Sequence, residues 1–167
     1  GINTPQIITY HGSDLNKPNN WDFKLIMAYL ISRLSTISSS YNIFVSKRLA
    51  QNSLRVNKNR VIIPMGVDLK KFFPMDKRKC REKLKMSLTK NLILFGGNST
   101  KTVKRISLAE NSIELLGDDY ELIKIDYIDH KIVPIYINAC DLLLMTSISE
   151  GSPMMIKEAL ACNKPII

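Results

Sequence analysis

Glu150 and Glu158 enclose the stretch Glu150-Gly151-Ser152-Pro153-Met154-Met155-Ile156-Lys157-Glu158, directly after the run Asp141-Leu142-Leu143-Leu144-Met145. The apolar part of that run has the length and composition of a buried strand, and Ser152-Pro153 is a pair that can start a helix. Strand, glycine-containing loop and helix, in that order, offer free backbone amides and the positive end of a helix dipole to an anion. The 151–155 stretch would supply the amides. Each carboxylate carries two acceptor oxygens, so Glu158, inside the helix, suits a ribose diol, and Glu150, before it, suits sugar hydroxyls. The spacing is equally met by a Glu150 that settles at a positive helix end and a Glu158 on the surface. Ile156, Ala159 and Leu160 form the expected buried stripe of this helix, with Glu158 beside it.

Two further stretches carry groups able to meet phosphate or sugar. Leu92-Ile93-Leu94-Phe95 reads as a strand, Gly96-Gly97-Asn98-Ser99-Thr100 as a flexible loop, and Lys101 and Lys104 as cations before a helix, which together would make a diphosphate clamp. His11 ends the run Ile7-Ile8-Thr9-Tyr10; a histidine there can donate to a phosphate or hydroxyl, or exchange a proton near neutral pH.

The elements that must position these groups alternate. Short β-branched runs and helical segments follow one another, the pattern of parallel sheets covered by helices, so the fold class is α/β. Strands are expected at 7–10, 42–45, 61–63, 91–95, 121–125, 142–145 and 165–167. Helices are expected over Trp21 to Leu34, after a Ser46 cap through Ala50, and over Asp76 to Met86, Val103 to Leu116, Val133 to Ala139 and Pro153 to Cys162. Pro64-Met65-Gly66-Val67-Asp68 with Phe72-Phe73-Pro74 is rich in turn formers, which places a domain boundary between residues 1–65 and 66–167. Gly66 is expected to relieve a left-handed or crowded turn, and Asp68 to serve structure.

The chain has 167 residues with a formal charge of +9, and three cysteines, Cys80, Cys140 and Cys162. An odd cysteine count without metal-ligand spacing speaks against a disulfide framework and for a reducing cytoplasm. No apolar run approaches the roughly 20 residues that span a bilayer. Much of the positive charge lies in Lys70-Lys71 and in the 77–85 run, which reads as the solvated face of a helix. Nucleic acid, an anionic membrane surface and phosphate-bearing substrates are the partners such charge can serve. The run has no interleaved aromatics and no recognisable nucleic-acid module, which argues against the first. Peripheral contact with the inner face of a membrane stays open.

The string Ser147 to Ile167 resembles the donor-site signature of glycosyltransferase family 4, retaining enzymes of the GT-B fold in which two glutamates are separated by seven residues. Ala139-Cys140-Asp141 before the strand, and Glu158-Ala159-Leu160-Ala161 with Lys164-Pro165 after it, fall where that family has matching segments. The Leu92 to Lys104 stretch resembles its diphosphate-binding loop, with Lys101 where an arginine is usual. Ile8 to Asp14 resembles its acceptor-side strand end, and Val61 to Asp68 its passage between domains, with Met65 in place of the usual asparagine.

The resemblance implies a GT-B type chain of two Rossmann-like parallel-sheet domains. The chain opens near a strand and stops inside one, so both domains are expected to be incomplete, the acceptor-side domain over 1–65 and the donor domain over 66–167. It implies transfer of a sugar from a nucleotide diphosphate sugar to an acceptor hydroxyl of a carbohydrate or lipid-linked acceptor. His11 and Glu150 would then be catalytic, and Lys101, Lys104, Glu150, Gly151, Ser152, Pro153, Met154, Met155 and Glu158 would bind the donor. It implies no cofactor and no metal, and the sequence has no Asp-x-Asp pair. A nucleotide-sugar-binding module without turnover is the alternative, and a basic nucleic-acid-binding protein is a third.

Overall fold

A computed structural model describes residues 4–12, 15–16, 22–54, 59–97, 102–148 and 153–167. The described residues divide into two compact units, one ending at Met65 and the other beginning at Gly66.

In the first unit β1 (Ile7–Tyr10), α1 (Phe23–Ser38), β2 (Tyr41–Phe44), α2 (Lys47–Asn52) and β3 (Arg60–Ile62) follow in chain order. The strands form a parallel sheet in the order β1-β2-β3, with Tyr10 opposite Phe44 and Phe44 opposite Ile62. Tyr10 and Phe44 stack with ring centroids 5.1 Å apart, and Leu15, Val45, Leu49 and Ala50 complete this small core. Asp22 caps α1 by accepting from the Lys24 amide at 2.8 Å, and Ser46 caps α2 by accepting from Leu49 at 3.3 Å. At the far end of α1 the buried Asn42 of β2 donates to Thr36 O and accepts from the Ser39 hydroxyl, which fixes where the helix stops. The helix turns Ser35 and Thr36 toward the sheet, and Phe23, Ile31 and Leu34 are exposed.

The second unit contains α3 (Lys77–Leu84), β4 (Asn91–Phe95), a 3₁₀ turn (Thr102–Lys104), α4 (Ile106–Glu114), β5 (Tyr120–Ile123), α5 (Val133–Ala139), β6 (Leu142–Leu144) and α6 (Met154–Ala161). Its strands are parallel in the order β5-β4-β6. Leu143 donates to Pro165 O and accepts from Ile167, so the chain end lies along the free side of β6. β4 is central, and Leu92 to Phe95 are all buried, as a strand covered on both faces requires. Helices α3, α5 and α6 pack together, and α4 packs on β5. Leu92, Leu94, Ile137, Leu143 and Ala159 are almost fully buried, and each large apolar side chain so placed contributes about 1.5–3 kcal/mol.

Asp141, at the entrance to β6, holds this unit together. Its carboxylate accepts from the Arg81 guanidinium at 2.7 Å, from Lys77 Nζ at 2.9 Å and from the Leu92 amide at 2.7 Å, and its own amide donates to Leu92 O. Arg81 is buried and also donates to the carbonyls of Ala139, Ser87 and Lys90, so α3 is not solely the solvated basic helix its sequence suggests. Gly66 departs from expectation as well. Its φ is not positive and an added Cβ would meet nothing, so the turn requires no glycine. Asp68 is structural, accepting from the amides of Lys70, Lys71 and Phe72. The three cysteines are buried free thiols. Burial, assisted by the neighbouring Asp141 charge, pushes the Cys140 thiol up to about 12, which leaves it protonated and unreactive at neutral pH.

Burial pushes the Asp141 carboxyl up, but the bonds from Lys77 and Leu92 and the charges of Arg81 and Lys77 outweigh it, and it lies below its ordinary value of 3.8. A carboxyl held below its unfolded value stabilises the fold above that value and loses the contribution as pH falls through its folded one. Asp141→Asn leaves Arg81 buried without a counter-charge and is expected to cost about 3–5 kcal/mol at neutral pH by urea denaturation. The gap between wild type and variant should narrow below about pH 4. An unchanged gap at acid pH would remove the ion pair as its cause.

Candidate functional site

The strand order of the second unit reverses at β4. The chain leaves β4 for β5 on one side and returns to β6 on the other. The connections after β4 and β6 therefore diverge, and the crevice at their carboxyl ends is a topological switch point, the place where open α/β sheets bind ligands.

Two glycines allow close approach at that crevice. Gly96 donates to Leu144 O at 2.8 Å, carrying the ladder past the end of β4, and any Cβ on it would collide with the Met145 sulfur. A Cβ on Gly97 would lie 2.8 Å from Lys104 Cδ, so the bare backbone lets the Lys104 stem cross the loop. The chain leaving β6 is then tied to the 3₁₀ turn that carries Lys104. The Thr146 hydroxyl reaches the carbonyls of Lys104 at 2.6 Å and Arg105 at 3.2 Å, and the Ile148 amide donates to Val103 O at 3.0 Å. Arg105 takes φ 53° and ψ 53° at the start of α4, a left-handed conformation uncommon outside glycine. The helix expected over Val103 to Leu116 is therefore divided into the 3₁₀ turn and α4.

α6 begins at Met154 with Pro153 in the cap position, which offers no side-chain cap to its first amides. Met155, Glu158, Ala159 and Cys162 share one face at helical spacing and turn toward the core. Glu158 is 5% exposed, whereas Leu160 is 62% exposed. The expected stripe is corrected on this point: the helix is rotated so that the carboxylate takes a core-facing position and Leu160 faces solvent. Glu158 Oε1 lies 3.2 Å from His130 Nε2, and the His130 ring packs edge-on to Phe72 at 5.5 Å. With its proton on Nε2, His130 donates to the carboxylate. His130 was not singled out by sequence reasoning. It lies 28 residues from Glu158, and only its place beyond the carboxyl end of β5 could have drawn notice.

In the second unit Lys104 stands on the connection that leaves β4, and Pro153, Met154, Met155 and Glu158 on the segment and helix that follow β6. His11 is exposed at the carboxyl end of β1 in the first unit. Lys101, Glu150, Gly151 and Ser152 lie outside the described residues. Chemically, these segments offer a half-buried cation, the first amides of a helix and a carboxylate with a histidine partner. Those are groups for anionic oxygens and for hydroxyls.

Solved structures with the same architecture define the class as α/β of GT-B type. Sucrose-phosphate synthase from Thermosynechococcus elongatus superimposes with a TM-score of 0.73 at 16% identity, over 96% of this chain and 49% of that one. Anabaena HepE in complex with UDP and glucose gives 0.68 at 16% identity, over 97% and 52%. The profile of the family described as "Glycosyl transferases group 1" matches residues 83–167, and the chain belongs to that family. It is also 25% identical to TuaC of Bacillus subtilis (strain 168), a glycosyltransferase named for teichuronic acid biosynthesis, over 98% of this chain and 46% of TuaC. The chain spans about half the length of these relatives.

The tie between the two connections can be tested at Thr146. Thr146→Val keeps the shape and removes the donor, and is expected to lower stability by about 1–2 kcal/mol in urea. Hydrogen exchange at the Ile148 amide should accelerate with it. Unaltered exchange there would show that the hydroxyl does not hold the segment.

Proposed function

We propose that the chain is the donor-binding part, with a portion of the acceptor side, of a retaining glycosyltransferase of family 4. It would transfer a sugar from a nucleotide diphosphate sugar to an acceptor hydroxyl. The observation that carries this reading is Glu158, a carboxylate at a core-facing position of α6 beside the switch point, where packing alone calls for an apolar side chain.

In this reading Glu158 accepts from the ribose diol and Glu150 from the transferred sugar. Lys101, Lys104 and the amides of Gly151, Ser152, Met154 and Met155 take the diphosphate, with Pro153 setting the start of the helix. Cations and amides already oriented before the reaction stabilise the charge that grows on the leaving diphosphate. Holding donor and acceptor oxygen in line lowers the remaining barrier without a covalent intermediate, a cofactor or a metal. His11 is the first unit's candidate for contact with a sugar or phosphate oxygen. TuaC's name makes a polysaccharide the first acceptor class to try, and HepE's bound UDP and glucose make uridine donors the first to titrate.

Calorimetric titration with UDP and other nucleoside diphosphates should show saturable binding. Glu158→Ala should weaken it at least about tenfold, roughly 1.4 kcal/mol. Lys104→Ala should weaken UDP more than uridine, because only the former carries the diphosphate. Transfer products should keep the donor's anomeric configuration by proton NMR. Binding without turnover would leave a nucleotide-sugar-binding module, and no saturable binding by any nucleotide would end the proposal.

A further inference from the structure

Another concave site of the second unit lies between α3, the segment before it and the start of α5, with a volume of about 450 Å³. Four lysines from three separate segments surround it: Lys71, Lys79, Lys83 and Lys131. Met75, Pro134 and Ile135 give it an apolar floor. None of the donor-site candidates lines it.

The charge balance of this cavity differs from that of the rest of α3. Elsewhere on the helix each cation has a carboxylate: Arg78 pairs with Glu82 at 3.0 Å, and Lys77 and Arg81 pair with Asp141. Among the described residues, Lys79, Lys83 and Lys131 have no carboxylate within ion-pair distance, and Lys71 has only the half-exposed Asp68 at 3.7 Å. Asp76, the one acid in the lining, is engaged as the cap of α3, accepting from the Lys79 amide at 2.8 Å. Four lysines against the one Asp76 carboxylate leave the lining net positive, which favours an anion. The volume falls in the range of small-molecule sites, roughly 300–1,000 Å³, and exceeds what a bare phosphate fills.

We propose that this cavity binds a phosphate-bearing organic ligand, with the lysines around the phosphate and the rest of the molecule on Met75, Pro134 and Ile135. Such a phosphate could belong to a small soluble ester or to a phospholipid head group, and both present the same oxygens to the lysines. The site is independent of the donor crevice, and its test leaves that crevice intact.

The whole chain would be titrated with glycerol phosphate, following the amide signals of Lys83 and Ile135 by NMR, and sedimented with phosphatidylcholine vesicles with and without phosphatidylglycerol. The double variant Lys79→Gln with Lys83→Gln is expected to lose at least about tenfold in affinity, the effect of removing two charge-assisted contacts. The charge-matched control Lys85→Gln with Lys90→Gln should retain it. Glycerol phosphate binding points to a soluble ligand, and capture by anionic vesicles alone points to a lipid. No binding of either probe, or an equal loss in the charge-matched control, would overturn the proposal.

Discussion

At the amino end of β6, one carboxylate joins three elements of the second unit: Asp141 takes Arg81 from α3, the Leu92 amide from β4, and supplies the first residue before its own strand. A parallel pair has no hairpin to set its register, so some other interaction must do so. The reciprocal bonds between Asp141 and Leu92, closed by a guanidinium that is only 4% exposed, fill that role. With the strands aligned at this end, Gly96 meets Leu144 at the other end, where the strand order reverses. A stabilising ion pair at one edge of the sheet and a crevice at the opposite edge are thus consequences of one register.

The segments that leave β4 and β6 are tied to each other. Thr146 and Ile148 bind the chain leaving β6 to the turn that follows β4, so Lys104 sits on backbone fixed from two sides. Glycine at 97 gives room for its stem. Preorganisation of this kind is what an anion site requires, because a cation already in place loses little freedom when the anion arrives.

Much of the second unit was legible because its signals are local. Leu92 to Phe95 is a continuous apolar run in the strand that starts at Asn91, Val133 to Ala139 is opened by a proline at its second position, and both elements have the bounds read from sequence. What escaped depends on distant partners. The break before α4 arises where the carbonyls of Lys104 and Arg105 are taken by Thr146, more than 40 residues on in sequence. Arg81 reads as one of several solvated cations in a basic run until Asp141 is seen beside it. The rotation of α6 that buries Glu158 and exposes Leu160 follows from how α6 lies against α5 and the sheet; periodicity alone fits both faces.

Glu158 and the lysines of α3 bear on the same question from opposite directions. A carboxylate among Met155, Ala159 and Cys162 loses hydration on folding and recovers it only in part through a single bond to an exposed histidine. Unpaired ammonium groups around a hollow lose little hydration and suffer repulsion instead. An apolar residue at 158 would remove the first cost, and neither Glu158 nor these lysines set strand register. Fold stability accounts for Arg81 and Asp141, whose charges cancel inside the protein; it does not by itself account for a carboxylate at a core-facing position of α6, or for the neighbouring cations Lys79 and Lys83, which no acid of the described residues pairs.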